Sequence, residues 1–172
     1  MMNNSTLKSH GSQLCKSCGL CCNGAVCGVA WVSPSEDRKF ADLFRHELVA
    51  GQDGETLHVN LPCFAYEGHC SQYNIRPVDC KTYQCALLKK YMTGETTFES
   101  ASKTIEMTLT SLDSATAQYN ALYSQSLTRN KIAPVLTKLK HEAQTRDQQK
   151  AFWLRFPAYM TFCFLKTKHF TE

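Results

Sequence analysis

Four cysteines occupy eight consecutive positions near the start of the chain, and this cluster constrains the fold more than any other feature. They are Cys15, Cys18, Cys21 and Cys22. A second group of four comprises Cys63, Cys70, Cys80 and Cys85. Packing alone does not require cysteines at this density, so the two groups predict a binding site. We expect them to converge on one site.

The compartment decides how these cysteines are interpreted. The first fourteen residues are polar and lack the apolar segment of a secretory signal, and the sequence has no run of eighteen or more uncharged apolar residues. These features predict a cytoplasmic protein without a membrane span. Stable disulfides are uncommon in a reducing compartment, so the cysteines favour metal binding or redox chemistry over cross-links.

Thiolate is the soft ligand that suits zinc and iron–sulfur clusters. The spacing C-x2-C-x2-C of Cys15, Cys18 and Cys21 lets turns direct three sulfurs toward one four-iron cluster, although the adjacent Cys22 and the lack of a Cys-Pro pair depart from the ferredoxin pattern. Neighbouring side chains of an extended backbone point to opposite sides, so Cys21 and Cys22 indicate two centres. Eight thiolates suit either two zinc sites or one four-iron cluster and one zinc site.

Two cysteines and one histidine stand outside these groups. Cys163 is predicted to be a small buried hydrophobic residue. Cys27 is open to either a core role or a site role. His69 precedes Cys70 and could replace a sulfur at zinc, but beside a complete set of thiols it is predicted to be structural or exposed.

The rest of the sequence predicts a mostly α fold with a small irregular β part. Apolar runs predict two short paired strands, and apolar residues recurring at steps of three and four predict the helices. The strands are expected at 26–32 and 56–61, and the helices at 33–48, 81–92, 100–127 and 134–145. A turn is expected at 52–55. The apolar stretch 151–165, interrupted by Arg155 and Pro157, is expected to pack on the long helix rather than to contact a partner or membrane surface.

These elements suggest three regions. Residues 1–14 are expected to be a disordered N-terminus, 15–92 a metal-nucleated cysteine-cluster region, and 93–172 a helical region that packs on it as one domain. Residues 129–172 contain nine Lys and Arg against three Asp and Glu. This basic helical region is the predicted contact for another protein, while solvated charge explains it without nucleic acid.

The cysteine spacing resembles a known family. The pattern C-x2-C-G-x-C-C, then C-x6-C, then Tyr73-x2-Arg76-Pro77-x2-Cys80 and a further cysteine, is similar to the bacterial YkgJ-type cysteine-cluster family, CxxCxxCC, described as zinc- or iron-chelating. The resemblance covers residues 15–85. It implies that the metal ligands are Cys15, Cys18, Cys21, Cys22, Cys63, Cys70, Cys80 and Cys85. Cys27 is extra to that pattern.

Two functions follow from this pattern. The preferred one is a non-catalytic metal-binding module that holds an iron–sulfur cluster, favoured over zinc, or both. The alternative is an iron–sulfur enzyme or redox subunit in protein modification such as lysine methylation, because a similar cysteine arrangement occurs in bacterial enzymes that methylate flagellin lysines. The radical S-adenosylmethionine spacing C-x3-C-x2-C is absent, since Ala25 stands where its last cysteine is required. Dinucleotide and phosphate-binding glycine motifs are absent too.

Overall fold

The computed structural model describes residues 4–52 and 55–171. Their contacts divide the chain into two compact units. The cysteine unit is Gly19–Gln84, and the helical unit comprises the described residues up to Cys18 and those from Cys85 onward. This division differs from the predicted boundaries after residues 14 and 92. Packing of the two regions as one domain stays a prediction.

The fold class predicted from the sequence, mostly α with a small irregular β part, is confirmed. In chain order the elements are α1 (Asn4–Cys18), β1 (Val29–Val32), α2 (Arg38–Leu43), a 3-10 turn (Arg45–Glu47), β2 (Val49–Ala50), β3 (Leu57–Asn60), α3 (Val78–Thr82), α4 (Ala86–Met92), α5 (Phe98–Tyr123), α6 (Arg129–Glu142), α7 (Arg146–Arg155) and α8 (Pro157–His169).

Helix α5 is the long helix predicted at 100–127, and its two ends have local causes. Thr97 caps the first turn by accepting a hydrogen bond from the backbone N–H of Ser100. At the other end Ser124 adopts a left-handed conformation with φ of 50°. The Asn120 side chain bonds both the N–H and the carbonyl of Leu127, each at 2.9 Å. These bonds turn the chain, so the helix stops before the predicted residue.

One face of the apolar stretch 151–165 packs on α5, as predicted, while Leu154 and Phe164 remain exposed. Residues 146–155 form α7, and Pro157 opens α8 at the helix position where its missing N–H costs nothing. Phe156, Tyr159 and Phe162 are buried, and α8 lies against α5. The helix predicted at 134–145 is displaced, because α6 includes Pro134 and Thr145 instead caps α7. Among the described residues, no helix is long and apolar enough to cross a membrane.

Helix α1 corrects the prediction of an N-terminus without regular structure. Its side chains pack within the helical unit: Leu14 is buried, and the His10 ring lies 4.7 Å from that of Phe98. His10 also lies 3.2 Å from the Tyr91 hydroxyl. The segment has few apolar residues, so their periodicity did not predict a helix. Tertiary packing stabilises this helix more than its own sequence does. Residues 1–3 of the predicted segment lie outside the described residues.

The cysteine unit contains a three-stranded antiparallel sheet in the order β1-β3-β2. The two predicted strands pair as expected, with Ala30 opposite Val59. A small apolar core lies beside them and comprises Val32, Phe40, Ala41 and Val59. Cys63 and Phe64 pack against this core. The sheet therefore supports the backbone from which the second cysteine group begins.

Two helix predictions in and beside this unit were too long. The helix predicted at 33–48 is reduced to α2 and the 3-10 turn, and residues 49–50 become β2 because they pair with β3. The helix predicted at 81–92 is interrupted, since Tyr83 and Cys85 are extended, with ψ of 129° and 164°. Cys85 is therefore the N-cap of α4 and not part of its first turn. The turn predicted at 52–55 includes Asp53 and Gly54, which lie outside the described residues.

Candidate metal centre

The segment that follows α1 is a tight loop. The N–H groups of Ala25 and Val26 both donate to the Leu20 carbonyl at 3.1 Å, so the loop turns back on itself. Gly19 opens the loop with φ of 64°, and a Cβ at this position would overlap the Tyr66 hydroxyl. Both the left-handed backbone and the close tyrosine therefore require glycine here. This turn presents Cys21 and Cys22 to the rest of the cysteine unit.

Backbone hydrogen bonds join this loop directly to the second cysteine group. The N–H of Cys63 donates to the carbonyl of Cys22 at 2.8 Å, and the N–H of Leu61 donates to that of Gly28 at 3.0 Å. Two segments far apart in sequence therefore run side by side. Cys22 and Cys63 become neighbours through main-chain pairing rather than through the sulfur atoms themselves.

A second loop returns Cys70 to the vicinity of Cys63. Tyr66 forms an isolated antiparallel bridge with Cys70. The N–H of Tyr66 donates to the Cys63 carbonyl at 3.0 Å. Burial raises the pKa of the Cys63 thiol. The N–H of Ala65, which donates to this thiol, opposes the rise, and negative charge on Cys70 adds to it. The two sulfurs are thus close enough to repel each other when ionised.

Helix α3 carries Cys80, and two carboxylates attach this helix to the rest of the unit. Asp37, only 5% exposed, accepts from the N–H of Val78 at 2.8 Å and from that of Ser33 at 3.0 Å. Asp79 accepts from the N–H of Trp31 at 3.0 Å. Sequence reasoning placed Asp37 only in a helix start and missed this role, because the partner lies 41 residues away.

Cys80 lies beside three other cysteines. Burial raises the pKa of the Cys80 thiol to about 12, even though the residue as a whole is exposed. Negative charge on Cys22, Asp79, Cys63 and Cys70 adds to this rise, in that order. We call Cys22, Cys63, Cys70 and Cys80 the four-thiol group. The structure thus brings together one cysteine of the first predicted group and three of the second.

The thiol of Cys21 contacts Cys27, whereas Cys22 belongs to the four-thiol group. The Cys21 thiol donates a hydrogen bond to the sulfur of Cys27, and the Tyr83 hydroxyl donates to the same sulfur. These two bonds lower the pKa of Cys27 to about 6, with the Cys21 bond having the larger effect, while burial and Asp79 oppose it. The sequence analysis left the role of Cys27 undecided, because this cysteine is extra to the family pattern. Its contact with Cys21 is visible only in the folded chain.

The remaining predicted ligands belong to the helical unit. Cys15 and Cys18 lie three residues apart on α1, so they share one face of a helix. A turn of α-helix, and not a loop, therefore orients this pair, and its ligation of the metal stays a prediction. Cys85 is the N-cap of α4. Cys163, predicted to be a core residue, is half-buried on α8, and burial raises its pKa next to Tyr159.

Tyr73, Arg76 and Pro77 build the segment that leads into α3. The Arg76 guanidinium lies 3.7 Å from the centre of the Tyr73 ring, a stacking contact that the sequence did not predict. Pro77 is the N-cap of α3 with ψ of 153°, and the Arg76 Nε is buried without a hydrogen-bond partner among the described residues. Donation from Arg76 to a sulfur stays a prediction.

The side chains of the cysteine unit are of the chemical type that binds a thiophilic metal. Its donors are thiols, and two buried N–H groups, the Arg76 Nε and the Asn23 Nδ2, have no acceptor among the described residues. Metal-bound thiolates are acceptors for such donors. The sulfurs are neighbours rather than a finished coordination sphere, since residues 4–52 and 55–171 contain no group of three or more His, Cys, Asp or Glu side chains arranged to hold a metal ion. None of the ten cysteines, all of them described, forms a disulfide.

Comparison with known proteins gives one result that identifies a family. No curated protein and no solved structure matches the chain. The family model CxxCxxCC, described as a putative zinc- or iron-chelating domain, matches residues 14–117. This match includes both cysteine groups, the segment from Tyr73 to Pro77, and most of α5, so it extends beyond the resemblance seen in the cysteines alone. Because it covers more than half of the 172 residues, the chain belongs to the CxxCxxCC family of zinc- or iron-chelating domains.

Proposed function

We propose that this chain is a non-catalytic metal-binding module whose four-thiol group holds an iron–sulfur cluster or zinc. The observation that carries the proposal is the position of the Cys80 thiol, which has Cys22, Cys63 and Cys70 as electrostatic neighbours. Four thiolates are a complete ligand set for either kind of centre. Cys15, Cys18, Cys21 and Cys85, the other members of the predicted ligand set, remain part of the proposal.

Electrostatics favours a cation at the four-thiol group. Four ionised thiols at close range repel one another, which is why the neighbouring sulfurs raise the pKa of Cys80. A divalent ion with four thiolates leaves a net charge of about −2 in place of about −4. Without metal the raised pKa keeps the Cys80 thiol protonated at neutral pH. A bound cation offsets the repulsion that opposes ionisation, so metal binding is expected to release protons from the thiols.

The small size of the apolar core supports a structural role for the metal. The strands of the cysteine unit are two to four residues long, and among its described residues the apolar cluster beside the sheet has four buried members. Ordering a segment costs about 1–2 kcal/mol per residue in backbone entropy. Ligation by residues from three separate segments offsets part of this cost directly. The metal then acts as a staple for the fold and needs no substrate.

Anaerobic purification followed by metal analysis and a visible spectrum tests the proposal. An iron–sulfur centre gives a brown protein with absorption near ~400 nm, and zinc gives a colourless one. Cys80→Ser is expected to lose the metal. Cys163→Ser, which changes a cysteine of the helical unit outside the motif, is the matched control and is expected to retain it. A folded wild-type protein that binds neither metal would overturn the proposal.

We also propose the cytoplasm as the compartment and an acidic protein as a partner of the basic helical region. Support for the partner comes from α7 and α8, where Leu154 and Phe164 are 74% and 62% exposed. Lys168 lies 5.6 Å from the centre of the Phe164 ring. Exposed apolar side chains next to lysines suit a partner with apolar and acidic groups. Binding of such a partner is expected to weaken with salt and with Phe164→Ser.

A further inference from the structure

Cys27 is the cysteine of this unit that the family pattern does not account for, and it sits in a defined place. It lies two residues before β1, at the end of the loop that begins with Gly19. The N–H of Leu61, donating to the Gly28 carbonyl, fixes this end of the loop against the second cysteine group. The position of Cys27 is therefore set by the same backbone pairing that positions Cys22 and Cys63.

The sulfur of Cys27 is in hydrogen-bond contact with that of Cys21, and the Tyr83 hydroxyl bonds it as well. Cys22, the next residue after Cys21, instead neighbours Cys80. Cys21 and Cys22, although adjacent in sequence, thus belong to two different groups of sulfur atoms. This agrees with the expectation that adjacent side chains point apart, and it leaves Cys21 and Cys27 as a pair of their own.

A buried donor in the same loop gives a second, independent observation. Asn23 is completely buried, and its Oδ1 accepts from the N–H of Ala25 at 3.0 Å. Its Nδ2, however, has no hydrogen-bond partner in the described chain. Leaving a buried N–H without an acceptor costs about 1–3 kcal/mol. A group with anionic sulfur, bound within this loop, would supply the acceptor.

We infer that Cys27 is a metal ligand of this protein and that, with Cys21, it supplies two thiolate corners of a second metal position separate from the four-thiol group. The metal is a thiophilic cation of the zinc or iron class. This inference rests on the proposed function, because it requires that the cysteine unit binds metal. It adds a ligand that neither the cysteine pattern nor the family description includes.

Alkylation of individual cysteines tests the inference without any activity assay. The protein is purified anaerobically, kept with a phosphine reductant so that no disulfide forms, and treated with iodoacetamide before and after chelation. Mass spectrometry of the peptides reports each thiol separately, since only an accessible thiolate reacts. Cys27 is expected to be protected in the loaded protein to the same degree as Cys22, and to become reactive after chelation. Cys163 is the internal control, with no change expected.

The outcomes separate this inference from the proposed function. If the protein binds metal and the four-thiol group is protected while Cys27 reacts equally in both states, the inference is wrong and the proposed function stands. If no metal binds and no cysteine is protected, both are wrong. The variant Cys27→Ser is expected to lose bound metal relative to Cys163→Ser. Wild-type alkylation decides the question even if that variant does not fold.

Discussion

Replacing Asp37 with asparagine tests how the helix that carries Cys80 is held. The carboxylate accepts from two N–H groups, those of Ser33 and Val78, at 3.0 and 2.8 Å. Asparagine keeps one oxygen and replaces the other with an NH2 group, which cannot accept. The variant therefore loses one hydrogen bond to a charged acceptor and places a donor against a donor in a site that is 5% exposed.

The expected cost follows from this count. A hydrogen bond to a charged group contributes about 1.5–3 kcal/mol. Loss of one such bond lowers the unfolding free energy of the cysteine unit by that amount, which is roughly a ten- to hundredfold change in its opening equilibrium. Because Val78 begins α3, Cys80 is also expected to be held less firmly. Metal retention during chelation should fall in the same variant.

Hydrogen exchange on the loaded protein measures the effect unit by unit. Amides of the cysteine unit, including that of Val78, are expected to exchange faster in Asp37→Asn, while those of α5 keep their protection. Asp42→Asn is the matched control, because this substitution removes the same charge at an exposed position of α2. Equal exchange and equal metal retention in the two variants would refute the idea that Asp37 anchors α3.

Three further results are expected. Gly19→Ala should destabilise the cysteine unit by about 2–4 kcal/mol in urea unfolding, because a Cβ adds left-handed strain and overlaps Tyr66. The control Gly68→Ala is also at positive φ but has open space around it, so it should cost only about 1 kcal/mol. Arg76→Ala should lower the metal content and the melting temperature through loss of its stack on Tyr73; unchanged values in both would contradict a structural role. Removing the metal should abolish amide protection in the cysteine unit while α5 and α8 remain helical, and equal protection of both units after chelation would show that the core alone holds the fold.

Patterns that are local in sequence predicted much of this protein correctly. The long helix and the positions of the two strands follow from periodicity, because each depends on residues a few positions apart, and the apolar content of 151–165 predicted that this stretch would be packed against a helix. Cysteine density in the same way predicted a metal-binding family. Helix α1 was missed because its stability comes from contacts with Tyr91 and Phe98, which lie far along the chain.

The grouping of the thiols was decided only by tertiary structure. Cysteine spacing cannot show that Cys21 contacts Cys27 while Cys22 neighbours Cys80, since both contacts depend on how the loop after Gly19 pairs with the backbone near Cys63. The same holds for Asp37, whose bond to the start of α3 joins distant segments. Sequence determines which atoms are available as ligands, because side-chain chemistry is local. Which of them meet is a property of long-range backbone pairing, which no local pattern encodes.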